Sequence, residues 1–156
     1  MLTYLPLLVC LGDGIVGGVF FAFSTFVMKA LAQLPASQGI AAMQRINAVV
    51  LNPLFLGVFV GTAVLAAVCV FASFFPWGSA RSMLLLVAGI SYLAGSFVVT
   101  AAFNVPRNER LAQMAAESAE AETYWLVYLR EWLLWNHVRT VASIVSAACA
   151  AGALVS

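Results

Sequence analysis

The sequence predicts an all-α integral membrane protein, a four-helix bundle with short interfacial helices on the cytoplasmic side. Its 156 residues are 64% hydrophobic and only 8% charged, and the mean hydropathy is +1.04. A soluble domain carries about 25% charged residues, so this chain lacks the polar side chains that would cover a globular surface. Residues 46–80, 82–106 and 140–156 contain no charge, and residues 1–28 contain only Asp13.

Each apolar stretch is long enough to place one helix. A helix needs about 20 apolar residues to cross the hydrocarbon core of a bilayer, and open sheet edges do not survive in lipid. We therefore predict spans at about residues 4–28, 49–74, 82–104 and 133–155, in a single transmembrane domain that comprises residues 1–156.

Two of the connections are expected to be helical as well. Residues 37–47 place several apolar side chains near one face, which is typical of a short interfacial helix. Residues 108–122 are rich in Ala and Glu and are expected to lead into the fourth helix. The connection at residues 75–79 is predicted to be a tight turn.

The basic residues predict the orientation of the chain. Six of the seven fall in the connections after spans one and three or at the start of span four: Lys29, Arg45, Arg107, Arg110, Arg130 and Arg139. Only Arg81 lies between spans two and three. The positive-inside rule then predicts a multi-pass protein of the cell membrane with both termini outside and the long connections in the cytoplasm.

The remaining composition excludes several classes of partner and site. A net charge of +1 gives no reason to expect nucleic acid. Cys10, Cys69 and Cys149 lie far apart in apolar runs, without the spacing of a metal or redox site, and we interpret them as small buried hydrophobes. The predicted partner is the lipid bilayer. A homo-oligomer or a larger membrane complex stays open.

The polar residues at the ends of the spans are the best functional lead. Because the chain alternates direction, several reach the same membrane face: Ser24, Asn52, Asn104, Arg107, Asn108, Asn136, His137 and Arg139. Residues 140–156 rise about 25 Å as a helix, less than a hydrocarbon core of about 30 Å. Residues 136–139 are therefore expected at, or slightly within, the inner boundary, where ionisable groups usually face a bundle interior or a wet cavity.

Structural roles are equally open for these residues. The asparagines can hydrogen-bond across helices as packing contacts. Arg107 can be a topogenic charge, Arg139 can extend to the interface, and Glu131 can pair with either arginine. Asp13 has two interpretations: a functional acid about 13 Å inside the first span, or a wetted residue at the N-terminus of a helix that begins near Ile15. We favour the second.

The order of the motifs resembles the anthrone oxygenase family of small membrane proteins, also known as a domain of unknown function that is present in many bacteria. The resemblance is carried by GVFFAFS at 18–24 with Val27-Met28, AMQRIN at 42–47, NPLF at 52–55, NVPRNERL at 104–111 and WNHVRT at 135–140. These segments span nearly the whole chain. The last two are the most specific, since they set unusual polar residues beside apolar spans.

The resemblance implies an oxygenase that acts without a cofactor on anthrones, which are reduced tricyclic aromatic compounds. It therefore adds a hydrophobic small molecule to the expected partners. The carbanion of an anthrone can pass an electron directly to O2, so neither metal nor flavin is required. We expect His137 to act as the general base, with Asn104, Asn136 and Arg139 stabilising the enolate oxygen. The expected substrate-binding residues are Ser24, Asn52, Asn108, Arg107, Trp135 and Phe23.

Other functions remain open. A non-catalytic membrane subunit that packs against a larger complex would also fit the short connections. A haem-binding or quinone-binding protein is another alternative, with His137 as an axial ligand opposite Met28, Met43 or Met114. One histidine and no paired thiols argue against a metal site.

Overall fold

The computed structural model of the protein describes residues 4–75 and 77–156, and these residues form helices without any β-strand. The chain runs through α1 (Leu5–Ala22), a first π-helical segment (Phe23–Val27), α2 (Met28–Ala32), α3 (Ala36–Val49), α4 (Pro53–Ala72), α5 (Ala80–Ile90), second and third π-helical segments (Ser91–Val98 and Thr100–Asn104), α6 (Val105–Ala112) and α7 (Ala119–Gly152). The predicted all-α bundle of four long helices is confirmed. The turn predicted at residues 75–79 contains Pro76, which lies outside the described residues.

Three of the long helices are long and apolar enough to cross a membrane: Leu5–Ala32, Pro53–Ala72 and Ala80–Ala112. The first and third are longer than their predicted spans, because α2 and α6 continue them through π-helical turns. The fourth predicted span lies in α7, which has 34 residues and is about 50 Å long. Helix α7 is less apolar than the other three, since it contains Glu120, Glu122, Arg130 and Glu131 and since its buried face includes Asn136, Arg139 and several hydroxyls.

Local sequence signals start the later helices. The side chain of Asn52 accepts a hydrogen bond from the backbone N–H of Phe55, and Pro53 follows in the first turn, where its missing N–H costs nothing. Ser118 caps α7 in the same way through the N–H of Ala121. Helix α6 ends at Ala112, so the helix predicted over residues 108–122 is interrupted before this cap.

Packing places α4 and α7 at opposite corners of the bundle. Helices α1 and α5 each contact both of them, and the most extensive contact joins α1 to α7. Glycines allow the close approaches. A Cβ on Gly17 would lie 3.0 Å from the Cβ of Ser143 in α7, and a Cβ on Gly12 would collide with Thr62 in α4. The spaces that these glycines leave are filled by side chains of neighbouring helices.

Helix α3 closes one end of the bundle. Its Ile40 and Met43 are fully buried in a cluster with Leu111 of α6 and with Trp125 and Tyr128 of α7. The helix predicted at residues 37–47 is thus present, and its apolar face packs against protein. This cluster fixes the start of α4 relative to α6 and α7.

The favoured interpretation of Asp13 was wrong. Helix α1 begins at Leu5, so Asp13 lies in its interior, and only 1% of the residue is exposed. The hydroxyl of Ser146 donates to Oδ2 of Asp13 at 2.5 Å and lies 2.9 Å from the carbonyl oxygen of Ala88. The eight residues before Asp13 are apolar enough to extend the helix, which places the acid between α1, α5 and α7.

Candidate functional site

Arg139 of α7 is buried inside the bundle, with 5% of its surface exposed. Its Nη2 donates to Oδ1 of Asn136 at 2.7 Å, and its Nη1 donates to Oγ1 of Thr100 at 3.2 Å. The guanidinium lies 4.1 Å from the ring centroid of Phe20 and 5.2 Å from that of Trp132. Among the described residues, Nε has no hydrogen-bond partner and no carboxylate lies within ion-pair distance. A buried cation without an acid is costly, so this position favours an anion.

A chain of hydrogen bonds fixes the amide that faces Arg139. The Nδ2 of Asn136 donates to the carbonyl oxygen of Phe20 at 2.8 Å and to Oγ of Ser24 at 2.7 Å. The hydroxyl of Thr140 donates to the carbonyl oxygen of Asn136, so the hydroxyl of Ser24 must donate to Oγ1 of Thr140. Every hydrogen in this chain then has one acceptor, and Oδ1 of Asn136 is left for the guanidinium.

The π-helical segments contribute side chains to this network. Ser24 lies in the first segment and Thr100 in the third, while the second ends shortly before Thr100. A π-helical turn shifts backbone hydrogen bonds from i→i−4 to i→i−5, and such turns are frequent at functional sites. Near the first one, the carbonyl of Phe20 accepts from Asn136. At the second, the carbonyl of Ser96 accepts the hydroxyl of Thr100, which leaves the Thr100 oxygen free to accept from Arg139.

Arg139 and Asn136 line a cavity of about 280 Å³ that opens to the surface, where Leu51, Val105 and Glu109 of its lining are exposed. The walls are mainly aromatic and aliphatic, with polar groups on one side. The lining residues are Val19, Phe20, Phe23, Met43, Ile46, Asn47, Val50, Leu51, Phe55, Leu56, Phe59, Thr100, Val105, Asn108, Glu109, Trp132, Asn136 and Arg139. A mostly apolar cavity with a few convergent polar groups is the usual form of a small-molecule site, and this volume is just below the usual range of about 300–1,000 Å³.

A second set of hydrogen bonds holds the indole that packs near Arg139. Oδ1 of Asn108 accepts from Nε1 of Trp132 and from the hydroxyl of Tyr128, each at 2.8 Å. Burial raises the pKa of the Tyr128 hydroxyl, which therefore stays a neutral donor. Phe23 lies against Trp132 with ring centroids 5.6 Å apart. The aromatic wall of the cavity is thus held in place by polar contacts behind it.

Several of the predicted site residues meet at this cavity. Arg139, Asn136, Phe23 and Asn108 line it directly. Ser24 lies behind the lining and holds Asn136. These residues come from the first, third and fourth long helices, at the end of the bundle that α3 closes.

Two predicted asparagines do not line the cavity. Asn104 is buried, with 1% of its surface exposed, and its Nδ2 donates to the carbonyl oxygen of Trp132 at 3.2 Å. Asn52 is exposed and caps α4. Asn104 therefore supports the backbone of α7 behind the aromatic wall, and Asn52 serves the local start of a helix.

The structure does not bring His137 to the cavity. Successive residues of a helix point about 100° apart, so His137 and Arg139 lie roughly 160° apart around α7 and cannot both face inward. His137 is exposed and borders an open depression of about 570 Å³ together with Trp135 and Arg107. Arg107 forms an ion pair with Glu131 at 2.7 Å there. A base role for His137 stays a prediction, and its ring lies outside the cavity.

Helix phase is the signal that would have found more of the site. Positions 132, 136, 139, 140 and 143 of α7 recur at the 3.6-residue period and are all buried. At this spacing, the sequence places Trp132 beside Arg139 on the buried face of α7 and excludes His137 from that face. Thr100 and the carbonyl of Phe20 depend on the π-helical turns, and no pattern in the sequence marks those.

The described residues contain no group of three His, Cys, Asp or Glu side chains that could hold a metal ion. Met28 and Met43, two of the methionines considered as haem ligands, are buried in the apolar cluster at the end of the bundle that α3 closes. His137 faces outward from α7. Met28 and Met43 thus pack against the buried side of α7, whereas His137 lies on its exposed side.

Comparison with known proteins agrees with the resemblance in the motifs. Residues 54–149, more than half of the chain, match the family described as anthrone oxygenase. Comparisons with curated proteins and with solved structures gave no match. The matched range includes Thr100, Asn136 and Arg139, the polar centre of the cavity. The chain belongs to the anthrone oxygenase family.

Proposed function

We propose that the protein is a membrane-embedded oxygenase that acts without a cofactor on a hydrophobic, polycyclic, anthrone-like substrate held in the cavity beside Arg139. The observation that supports this proposal is a buried guanidinium that has no carboxylate partner among the described residues and faces an aromatic cavity. Preorganised positive charge in a water-poor site stabilises an oxyanion as it forms. Flat aromatic walls and one cation suit a substrate that is planar, apolar and anionic only during the reaction.

Arg139 is proposed to bind the carbonyl oxygen of the substrate through its guanidinium, which lines the cavity. Deprotonation of the CH2 opposite this carbonyl produces an enolate whose charge rests on that oxygen. The cation-to-ring contacts with Phe20 and Trp132 hold the guanidinium plane at the cavity wall. The hydrogen bond from Nη2 to Oδ1 of Asn136 also holds the guanidinium in place, so little reorganisation is needed when the charge forms.

The proton and electrons are proposed to balance as follows. Glu109 is the carboxylate of the cavity lining and accepts the CH2 proton. The carbanion gives one electron to O2, and the resulting carbon radical and superoxide combine to form a C–O bond. The peroxide anion takes the proton back, and loss of water across the C–H and O–O bonds leaves a new carbonyl. One CH2 and one O2 thereby yield one C=O and one H2O.

The membrane arrangement is also a proposal. Apart from the buried Arg139, the basic residues of the two long connections are concentrated at the end of the bundle where α2, α3 and α6 lie. We propose that this end faces the cytoplasm, that both termini face outward and that residues 1–156 act as one domain. The cavity then lies near the inner leaflet, within reach of an apolar substrate dissolved in the membrane.

Arg139→Gln tests the proposal most directly. Loss of one oxyanion-stabilising group lowers kcat by about 10²–10³-fold in other enzymes. We expect a fall of this size in anthrone oxidation by purified protein, after subtraction of the spontaneous rate measured without protein. Arg139→Lys keeps the charge without the fork and should retain part of the activity.

Arg81→Gln is the matched control, because Arg81 lies at the other end of the bundle and donates to the carbonyl oxygen of Ala153. It should leave the rate unchanged. Equal rates for wild type and Arg139→Gln would refute the proposed site, and absence of any oxidation by the wild type would refute the activity.

A further inference from the structure

We propose that the open depression on the outer side of α7 binds the phosphate of an anionic phospholipid. The depression has a volume of about 570 Å³ and lies on the face of α7 opposite the cavity. Arg130, Trp135 and His137 are among the residues that line it. This site is separate from the proposed oxygenase site and does not depend on it.

The depression presents three hydrogen-bond donors without partners among the described residues. Arg130 and His137 are exposed and make no hydrogen bond or ion pair there. The Nε1 of Trp135 is also unpartnered, while its ring stacks on Phe103 with centroids 3.6 Å apart. The stack makes the indole a rigid wall. Tryptophan with its N–H directed to headgroups is typical of a membrane interface.

The charge balance selects an anion. Arg107 is neutralised by Glu131, whose Oε2 accepts from both Nε and Nη2 of this arginine. Arg130 is left as an uncompensated cation at the edge of the depression. Since Glu131 is already paired with Arg107, it attracts the ammonium group of a zwitterionic lipid only weakly. An anionic headgroup therefore fits the depression better than a zwitterionic one.

The spacing fits a phosphate group. Arg130 and His137 are seven residues apart, so they lie on one stripe of α7, about 10.5 Å apart along its axis. Charge-assisted hydrogen bonds of about 2.8 Å on each side of a phosphate, with the reach of the arginine side chain, span this separation. One phosphate can thus accept from both residues.

The surface beyond the depression fits the rest of a lipid. Leu134 is exposed between Arg130 and His137, and the same side of α7 continues with exposed Val138, Val141 and Ile144. The exposed imidazole of His137 beside these apolar side chains is costly in hydrocarbon unless it binds a headgroup. An acyl chain along this face and a phosphate at its polar end satisfy both parts, whereas a free phosphate ion would use only the polar end.

Native mass spectrometry of the purified full chain tests the proposal. In mild detergent, the wild type should retain one phosphatidylglycerol and bind it about tenfold more tightly than phosphatidylcholine. The double variant Arg130→Gln/His137→Gln should lose this preference. The matched control, Lys29→Gln/Arg45→Gln, removes two exposed cations from the same end of the bundle but outside the depression, and should keep it.

Two further measurements keep the result interpretable. Trp135→Phe preserves the ring stack and removes one donor, so it should weaken phosphatidylglycerol binding about threefold even if the double variant fails to fold. Inorganic phosphate should not displace the lipid. Displacement by inorganic phosphate, equal retention of the two lipids by wild type, or an equal loss in the control would each overturn the proposal.

Discussion

Asn136→Asp would place a carboxylate where an amide oxygen now accepts from Nη2 of Arg139 at 2.7 Å. The change keeps the size and shape of the side chain but neutralises the charge that we propose for enolate stabilisation. Two unit charges about 4 Å apart interact by about 4 kcal/mol at an effective dielectric constant of about 20. Since about 1.4 kcal/mol corresponds to a factor of ten, the affinity of Arg139 for a second anion falls by up to roughly 10³-fold.

The fold should tolerate the substitution. The introduced carboxylate cannot donate to Phe20 or Ser24, and each of these lost hydrogen bonds is worth about 0.6 kcal/mol in membrane bundles, but it gains an ion pair with Arg139. We expect kcat/KM for anthrone oxidation to fall at least about 100-fold, while the melting temperature in detergent changes by a few degrees. Asn52→Asp is the control, because Asp caps a helix as well as Asn does and Asn52 is exposed.

The rate of O2-dependent quinone formation, followed by absorbance, measures the effect. A change of less than about threefold for Asn136→Asp, in protein that elutes and melts like the wild type, would refute the assignment of Arg139 as the anion-binding group. A similar loss for Asn52→Asp would show that added charge alone impairs the protein.

Three other substitutions follow from the contacts. Gly17→Leu, at a helix contact where even a Cβ is crowded, should lower the free energy of unfolding in detergent by about 1–3 kcal/mol. Gly14→Leu should change it little, because a Cβ at Gly14 would meet open space. Asp13→Asn should preserve stability to within about 1 kcal/mol, because an amide can donate to Ser146 while Ser146 donates onward to a carbonyl; a loss as large as that of Asp13→Leu would contradict this. His137→Gln should change the rate of anthrone oxidation by less than about threefold, since a base at the substrate contributes about 10²–10⁴-fold, and a loss in that range would restore the predicted base role.

The helical architecture could be predicted because composition alone decides it. Long uncharged stretches allow helices and little else in lipid. The motif WNHVRT contains two residues of the polar centre, Asn136 and Arg139, and their rarity beside apolar spans identified them. Expected depth placed His137 with Asn136 and Arg139, but depth says nothing about direction around the helix. The helical period separates the inward-facing Asn136 and Arg139 from the outward-facing His137.

Other features lie beyond patterns of single residues. The environment of Asp13 depends on Ser146, a residue far along the chain, so an isolated stretch of sequence could not show whether the acid is wet or buried. The π-helical turns have no signature in the sequence, and Thr100 owes its contact with Arg139 to one of them. Long-range packing decides both positions.

The polar face of α7 has a consequence for biogenesis. Alone in a bilayer, this helix would expose Asn136, Arg139 and the hydroxyls of Thr140, Ser143 and Ser146 to lipid. An arginine adds up to about 2.5–3.5 kcal/mol to the apparent cost of insertion, and less near the boundary than at the centre of a span. The three apolar helices precede it in the chain and can enter the membrane first. We therefore expect α7 to insert last, against partners that are already present, so that this step of assembly creates the bundle interior and the cavity together.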